Sequence, residues 1–163
     1  MLEAEHSGFV IYDGPLLGSG EVQLGRVRPE QVWAAAADAV AKGSMGWIDR
    51  AEAESSILYF GVYRNSQLVG QILLHDLALA EREALIAYHL FTDSERRLGT
   101  GTEALRLLQL YLISTQNVGT ATIITSKDNT ASQRLATRCG FTFRGSPRED
   151  PEGLAYQWRV PPN

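Results

Sequence analysis

With 163 residues, 44% of them hydrophobic and 21% charged, the chain has room for one domain with a substantial core and not for two. Its net charge of −4 argues against nucleic acid or an anionic membrane as a partner, because both call for a basic surface. A single cysteine, Cys139, rules out an intrachain disulfide.

The segment Met1-Leu2-Glu3-Ala4-Glu5-His6 is acidic and leads into no apolar signal core. No run approaches the length of a membrane span, so a cytosolic location is expected by elimination. Residues 13–20 carry turn formers at both ends and read as a loop. Glu21 to Val27 alternates, as a first strand would. Pro29 opens a helix with Val32, Trp33, Ala36, Ala37 and Val40 as its apolar face and Gly43 as its stop. A short second helix is expected from about Gly46 to Ala53. Residues 57–63 and 67–74 are β-rich runs separated by Arg64-Asn65-Ser66, a hairpin signal. A third run, Leu85 to Phe91, follows the charged turn Glu81-Arg82-Glu83.

Thr102 to Gln116 reads as a helix that is apolar almost all round, with Glu103, Arg106 and Gln109 as its polar stripe. Ala121 to Thr125 is short and nearly all apolar, which suits the centre of a sheet. Asn129 to Cys139 is a helix with Asp128 or Asn129 as N-cap and Gly140 as its stop. Phe141-Thr142-Phe143 and Ala155 to Val160 are the closing strands. The order β-α-α-β-β-β-α-β-α-β-β predicts one α/β domain over residues 1–163, a mixed sheet of about seven strands with helices on both faces.

The stretch with chemical content is Arg96-Arg97-Leu98-Gly99-Thr100-Gly101-Thr102. It follows a strand and opens a helix, so its glycines and unpaired N–H groups form an anion-binding turn suited to a diphosphate. A plain helix start explains the same residues. A Walker loop is excluded by the missing Gly-Lys-Ser/Thr ending, and a dinucleotide fingerprint by the missing third glycine and acidic residue. The second pattern is Asn129-x-x-Ser132-x-Arg134-Leu135-x-x-x-Cys139-Gly140-Phe141, which begins 28 residues after Gly101.

Together the two stretches resemble the GNAT superfamily of N-acetyltransferases. Arg96 to Gly101 is similar to its R/Q-x-x-G-x-G/A pyrophosphate motif. Thr102-Glu103-Ala104-Leu105 and the Asn129 to Phe141 helix resemble the RimJ/RimL-like, ribosomal-protein branch. The resemblance implies an acetyl-CoA-binding core over about residues 84–143 and transfer of an acetyl group to a primary amine without an acyl-enzyme. It implies that backbone groups of Leu90, Phe91 and Thr92 hold the pantetheine. Arg96, Arg97, Leu98, Gly99, Thr100, Gly101 and Thr102 would surround the diphosphate, and Asn129 would face the pantetheine or thioester. Trp47 falls in the region that lines the acceptor side in the family. The acceptor is a protein N-terminus or a small-molecule amine, and a homodimer is compatible with the family although no stretch specifies one.

Two departures from the family pattern bear on catalysis. The tyrosine that many members place seven residues after the asparagine is Ala136 here, which leaves Ser132 as the candidate donor to the departing sulfur. Where a glutamate often stands on the fourth strand this chain has Leu85, so Glu83 and His89, which share its parity, are the candidate bases. A non-catalytic acyl-CoA-binding module is the competing reading. The simpler reading of Glu83 is a solvated turn residue, of His89 a packed strand residue, and of His6 and His75 surface histidines. Cys139 reads as a small buried apolar residue. Three scattered histidines and one cysteine offer no metal-ligand spacing, so no metal is expected.

Overall fold

The computed structural model describes residues 10–36 and 46–163. Seven strands form one sheet: β1 (Val22–Gly25), β2 (Leu58–Arg64), β3 (Gln67–Ala78), β4 (Glu83–Leu90), β5 (Thr120–Ser126), β6 (Thr142–Phe143) and β7 (Gly153–Arg159). The helices are α1 (Pro29–Ala35), α2 (Trp47–Ala53), a single turn α3 (Asp93–Arg96), α4 (Thr100–Thr115) and α5 (Thr130–Arg138). The strand order is β1-β2-β3-β4-β5-β7-β6. Only β4 and β5 run parallel.

Alternation along the central strands divides the core into two layers. Leu58, Phe60, Ile72, Leu74, Ala84 and Ile86 join Leu105, Leu108 and Leu112 of α4 and Ala136 of α5. Tyr59, Leu73 and Ala87 face the other way, onto Val32 of α1 and Ile48 and Ala51 of α2. Helices therefore cover both faces, as the element order predicts.

Several local expectations are met by visible causes. The β2–β3 hairpin closes over Asn65 and Ser66, both at positive φ (49° and 70°), with Arg64 opposite Gln67. Asn129 caps α5, its side-chain oxygen accepting the Ser132 N–H at 3.1 Å. Gly140 follows that helix at φ 85°. Helix α1 is described only as far as its C-cap, Ala36; Ala37, Val40 and Gly43, expected to continue and stop it, lie outside the described residues, as does His6.

Three details differ from the sequence reading. Glu83 belongs to β4 and not to the preceding turn, because its backbone pairs with Ala78 and Thr120. The polar stripe of α4 is interrupted: Gln109 is buried and donates to the Cys139 carbonyl at 2.8 Å, while Leu110 is exposed. The helix thus turns an amide inward to hold the end of α5. The short helix α3 was not expected at all.

Candidate active site

The parallel pair β4–β5 is joined only from Glu83 to Ile86 and from Thr120 to Ile123. Beyond that point Ala87 to Leu90 pair only with β3, and Ile124 to Ser126 only with β7. Two strand edges therefore diverge with backbone groups turned toward the gap. A groove of about 780 Å³ occupies this split, and the N-terminal turn of α4 closes one end of it.

Gly99 stands at the head of α4 in the left-handed region, φ 77°, where a side chain would be strained. Gly101 follows in the first turn, and a Cβ there would lie 2.9 Å from Leu135 Cδ1 of α5. The turn is held from behind by a largely buried ion pair. Arg64 binds Glu95 at 3.1 Å, Thr100 Oγ1 at 2.7 Å and the Leu98 carbonyl at 3.3 Å, and Thr100 donates to Glu95 at 2.8 Å. Arg64 also reaches the exposed Glu21 at 3.1 Å. Its guanidinium thus ties the end of β2 to both sides of the glycine turn, so that the free N–H groups of α4 are fixed in place.

The charge of the groove opposes that of the chain. Four arginines line it (Arg96, Arg97, Arg134 and Arg138), and no aspartate or glutamate does among the described residues. Together with the helix start, this lining suits a polyanion. The Arg96 charge also depresses the His89 pKa, after burial as the larger cause. The donor set and the glycine turn fit a diphosphate, and the open strand edges fit a chain that hydrogen-bonds like an added strand.

The expected site residues distribute as follows. Leu90, Arg96, Arg97, Gly99, Gly101, Thr102, Asn129, Ser132 and His89 line the groove. Phe91 and Thr100 are buried and Leu98 and Thr92 exposed, all four outside the groove lining, with Phe91 in the core layer of α1 and α2. The Asn129 carboxamide oxygen is committed to its cap. Glu83 is exposed at the far end of β4 and outside the groove lining; six residues of strand put it about 20 Å from His89. The Trp47 ring lies 4.5 Å from that of His75, tilted by 41°; His75 lines the groove, and Arg50 lies 4.7 Å over the Trp47 ring.

Tyr88 is the residue that sequence reasoning missed. It projects from β4 toward α5 and donates its hydroxyl proton to Ser132 Oγ at 3.0 Å. Burial raises its pKa, an effect the Ser132 bond only partly offsets, so the phenol keeps its proton. Its parity on β4, opposite to that of His89, was the available signal. The vacant tyrosine position, Ala136, is fully buried and packs in the core. Cys139 is also buried, with its thiol pKa pushed up by desolvation.

A family model for the acetyltransferase (GNAT) domain matches residues 17–142. The chain belongs to the GNAT acetyltransferase family. That match reaches well upstream of the two motif stretches, through the first strands. No curated protein matches the chain by sequence. Solved acetyltransferase structures share the fold. RimL, the ribosomal L7/L12 alpha-N-protein acetyltransferase, is 17% identical with a TM-score of 0.73, covering 90% of this chain and 98% of its own. The Microcin C7 self-immunity acetyltransferase MccE, solved with acetyl-CoA and AMP, is 16% identical with a TM-score of 0.74, covering 87% and 94%. RimJ of Mycobacterium smegmatis, solved with CoA-disulfide, is 20% identical with a TM-score of 0.71, covering 90% and 86%. Among the described residues no helix is long and apolar enough to cross a membrane, and no three metal-ligating side chains cluster.

Both groove histidines carry pKa values lowered first by burial. The folded chain therefore binds fewer protons than the unfolded chain once the pH drops below the unfolded histidine value of about 6.5. Stability present above that value is lost as pH falls toward the folded values. Thermal melts are expected to show a decline in Tm between about pH 7 and pH 5 that is smaller in a His89→Gln variant.

Proposed function

We propose that the protein binds acetyl-CoA in the β4–β5 split and transfers the acetyl group directly to an α-amino group of a peptide or protein. The observation that carries this reading is the split itself, with diverging strand edges leading to a glycine-opened helix start among four arginines. The acetyl-CoA and CoA complexes of MccE and RimJ, which share the fold, support the same ligand. The bound thioester supplies an activated acyl carbon and a thiol leaving group. Ser132 Oγ–H donates to the departing sulfur, and Tyr88, by donating to Ser132, makes that hydroxyl a better donor. Asn129 and the Arg64 clamp keep α5 and the glycine turn in register around it.

The preference for an α-amine rests on a groove lining that holds no carboxylate among the described residues. At neutral pH an α-amino group, pKa about 8, is neutral in roughly a tenth to a fifth of molecules, whereas a lysine-type amine, pKa about 10.4, is neutral in fewer than about one in a thousand. An amine of the first kind can shed its proton to water in the open groove. One of the second kind needs a base, and a polyamine would in addition be repelled by the arginines.

The test is a transfer assay with two peptides, one with a free N-terminus and no lysine, the other N-terminally blocked with one lysine. The free N-terminus is expected to give a kcat/KM at least about tenfold higher near pH 7. Equal rates, or preference for the lysine, would contradict the acceptor assignment. No transfer to any amine, with acetyl-CoA still bound, would favour the non-catalytic acyl-CoA-binding module instead.

A further inference from the structure

On the sheet face that carries α1 and α2, three adjacent strands contribute a continuous polar chain through otherwise apolar packing. Tyr59 of β2 donates its hydroxyl proton to Gln71 Oε1, and Gln71 Nε2 lies 2.9 Å from His89 Nδ1. Gln71 stands directly opposite His89 in the β3–β4 register. Tyr59 and Gln71 are both fully buried, at 0% exposure, while His89 is partly buried and lines the groove. Buried polar groups at the centre of a sheet are costly unless every member is satisfied. These groups are satisfied in one arrangement only.

The order of donors follows from Tyr59. Among the described residues its hydroxyl makes no hydrogen bond other than that to Gln71, and burial drives its pKa far upward, so it stays a phenol. Turning the Gln71 amide over would present an N–H₂ group to the phenol and leave the phenolic proton with no acceptor in a fully buried position. The carboxamide oxygen therefore faces Tyr59, and its N–H₂ group faces His89. His89 Nδ1 must then accept, and the neutral ring carries its proton on Nε2, the nitrogen that Gln71 does not engage.

We propose that Tyr59 and Gln71 are positioning residues that lock His89 as the Nε2–H tautomer, so that His89 serves the groove as a hydrogen-bond donor and not as a general base. A donor at this place, beside the diverging edge of β4, is suited to an acyl carbonyl oxygen as negative charge gathers on it. A base would need an unprotonated ring nitrogen turned to the groove, and Nδ1, the unprotonated one, is turned to Gln71. The catalytic role rests on the acetyl-transfer reading above; the tautomer does not.

The tautomer is read in the protein without ligand, by long-range ¹H–¹⁵N correlation on histidine-labelled protein with His89 assigned by the His89→Gln variant. The wild-type ring is expected to show a protonated Nε2 and an unprotonated, hydrogen-bonded Nδ1. In Tyr59→Phe, which removes the one donor that orients the amide, the Nδ1–H form is expected to become populated. In that variant kcat is expected to fall about tenfold while the affinity for acetyl-CoA changes less than about twofold. Gln71→Met is the second probe, and there the Nδ1 signal should lose its hydrogen-bond shift. A wild-type ring protonated on Nδ1 would overturn the proposal. So would His89 signals unchanged in both variants. A correct tautomer with unchanged kcat would overturn the donor role alone. A correct tautomer with no acetyl transfer by any form would instead count against the functional reading on which that role rests.

Discussion

Ser132→Ala is expected to lower kcat about a hundredfold, the lower end of what a positioned proton donor contributes, while the affinity for acetyl-CoA changes less than about twofold. The fold should survive the change. The cap of α5 uses the backbone N–H of Ser132 and not its hydroxyl, so alanine keeps the helix start intact. What is lost is the Oγ–H and the acceptor for Tyr88, the latter worth about 1–2 kcal/mol of stability. Tyr88→Phe separates these effects, because it leaves the serine hydroxyl and removes only the group that polarises it. A fall of about tenfold is expected there. Steady-state kinetics on both variants, with calorimetry for acetyl-CoA, is the measurement. Full turnover in Ser132→Ala would remove Ser132 from the mechanism.

Gly101→Val is expected to weaken acetyl-CoA binding at least about fivefold. A Cβ at this position meets Leu135 Cδ1 at 2.9 Å, with Leu90 Cδ1 and Tyr88 Cε2 next at 3.9 Å. All three neighbours are side chains that line the groove. A β-branched residue must therefore push Leu135 into the groove or lift the first turn of α4 away from α5. Overpacking of this kind costs about 1–3 kcal/mol, which in binding corresponds to roughly five- to 150-fold. Because Leu135 ends in flexible atoms at the edge of an open groove, a modest loss of a few degrees in Tm is expected. Titration calorimetry beside a thermal melt reads both. Unchanged affinity would mean that the Gly99–Thr102 turn does not hold the ligand's phosphates.

Local chemistry was legible in the sequence wherever one residue type answers one backbone demand. Asn65-Ser66 between two β-rich runs marks a tight hairpin, Asn129 a cap, Gly140 a helix stop, and Gly99 with Gly101 a helix start. Each of these is decided within a few residues. Helices on both faces followed from the element order, and the unbroken apolar runs Leu58-Tyr59-Phe60 and Ile72-Leu73-Leu74 serve both core layers.

What the sequence concealed depends on residues that meet only in three dimensions. Tyr88 and Ser132 are 44 positions apart, and nothing local says which residue of α5 a β4 side chain will reach. Gln109 looked like part of a solvent stripe because its helical position is polar; its inward turn depends on a carbonyl 30 residues away. Gln71 sits in a strongly β-forming run and drew no notice, although it links two other strands. Glu83 and His89 do share a parity, but alternation fixes direction and not distance, and five residues of strand lie between them. The net charge of −4 gave no hint of a groove lined by four arginines, since a sum over the chain is blind to how its charges are arranged.

The central claim is that the split between β4 and β5 is an acetyl-CoA site. Its most direct test is calorimetric titration of the purified protein with acetyl-CoA and, separately, with ATP. Micromolar binding of acetyl-CoA with no heat from ATP is the predicted result. ATP binding without acetyl-CoA binding, or no binding of either, would contradict the account and reduce the glycine turn to a helix start.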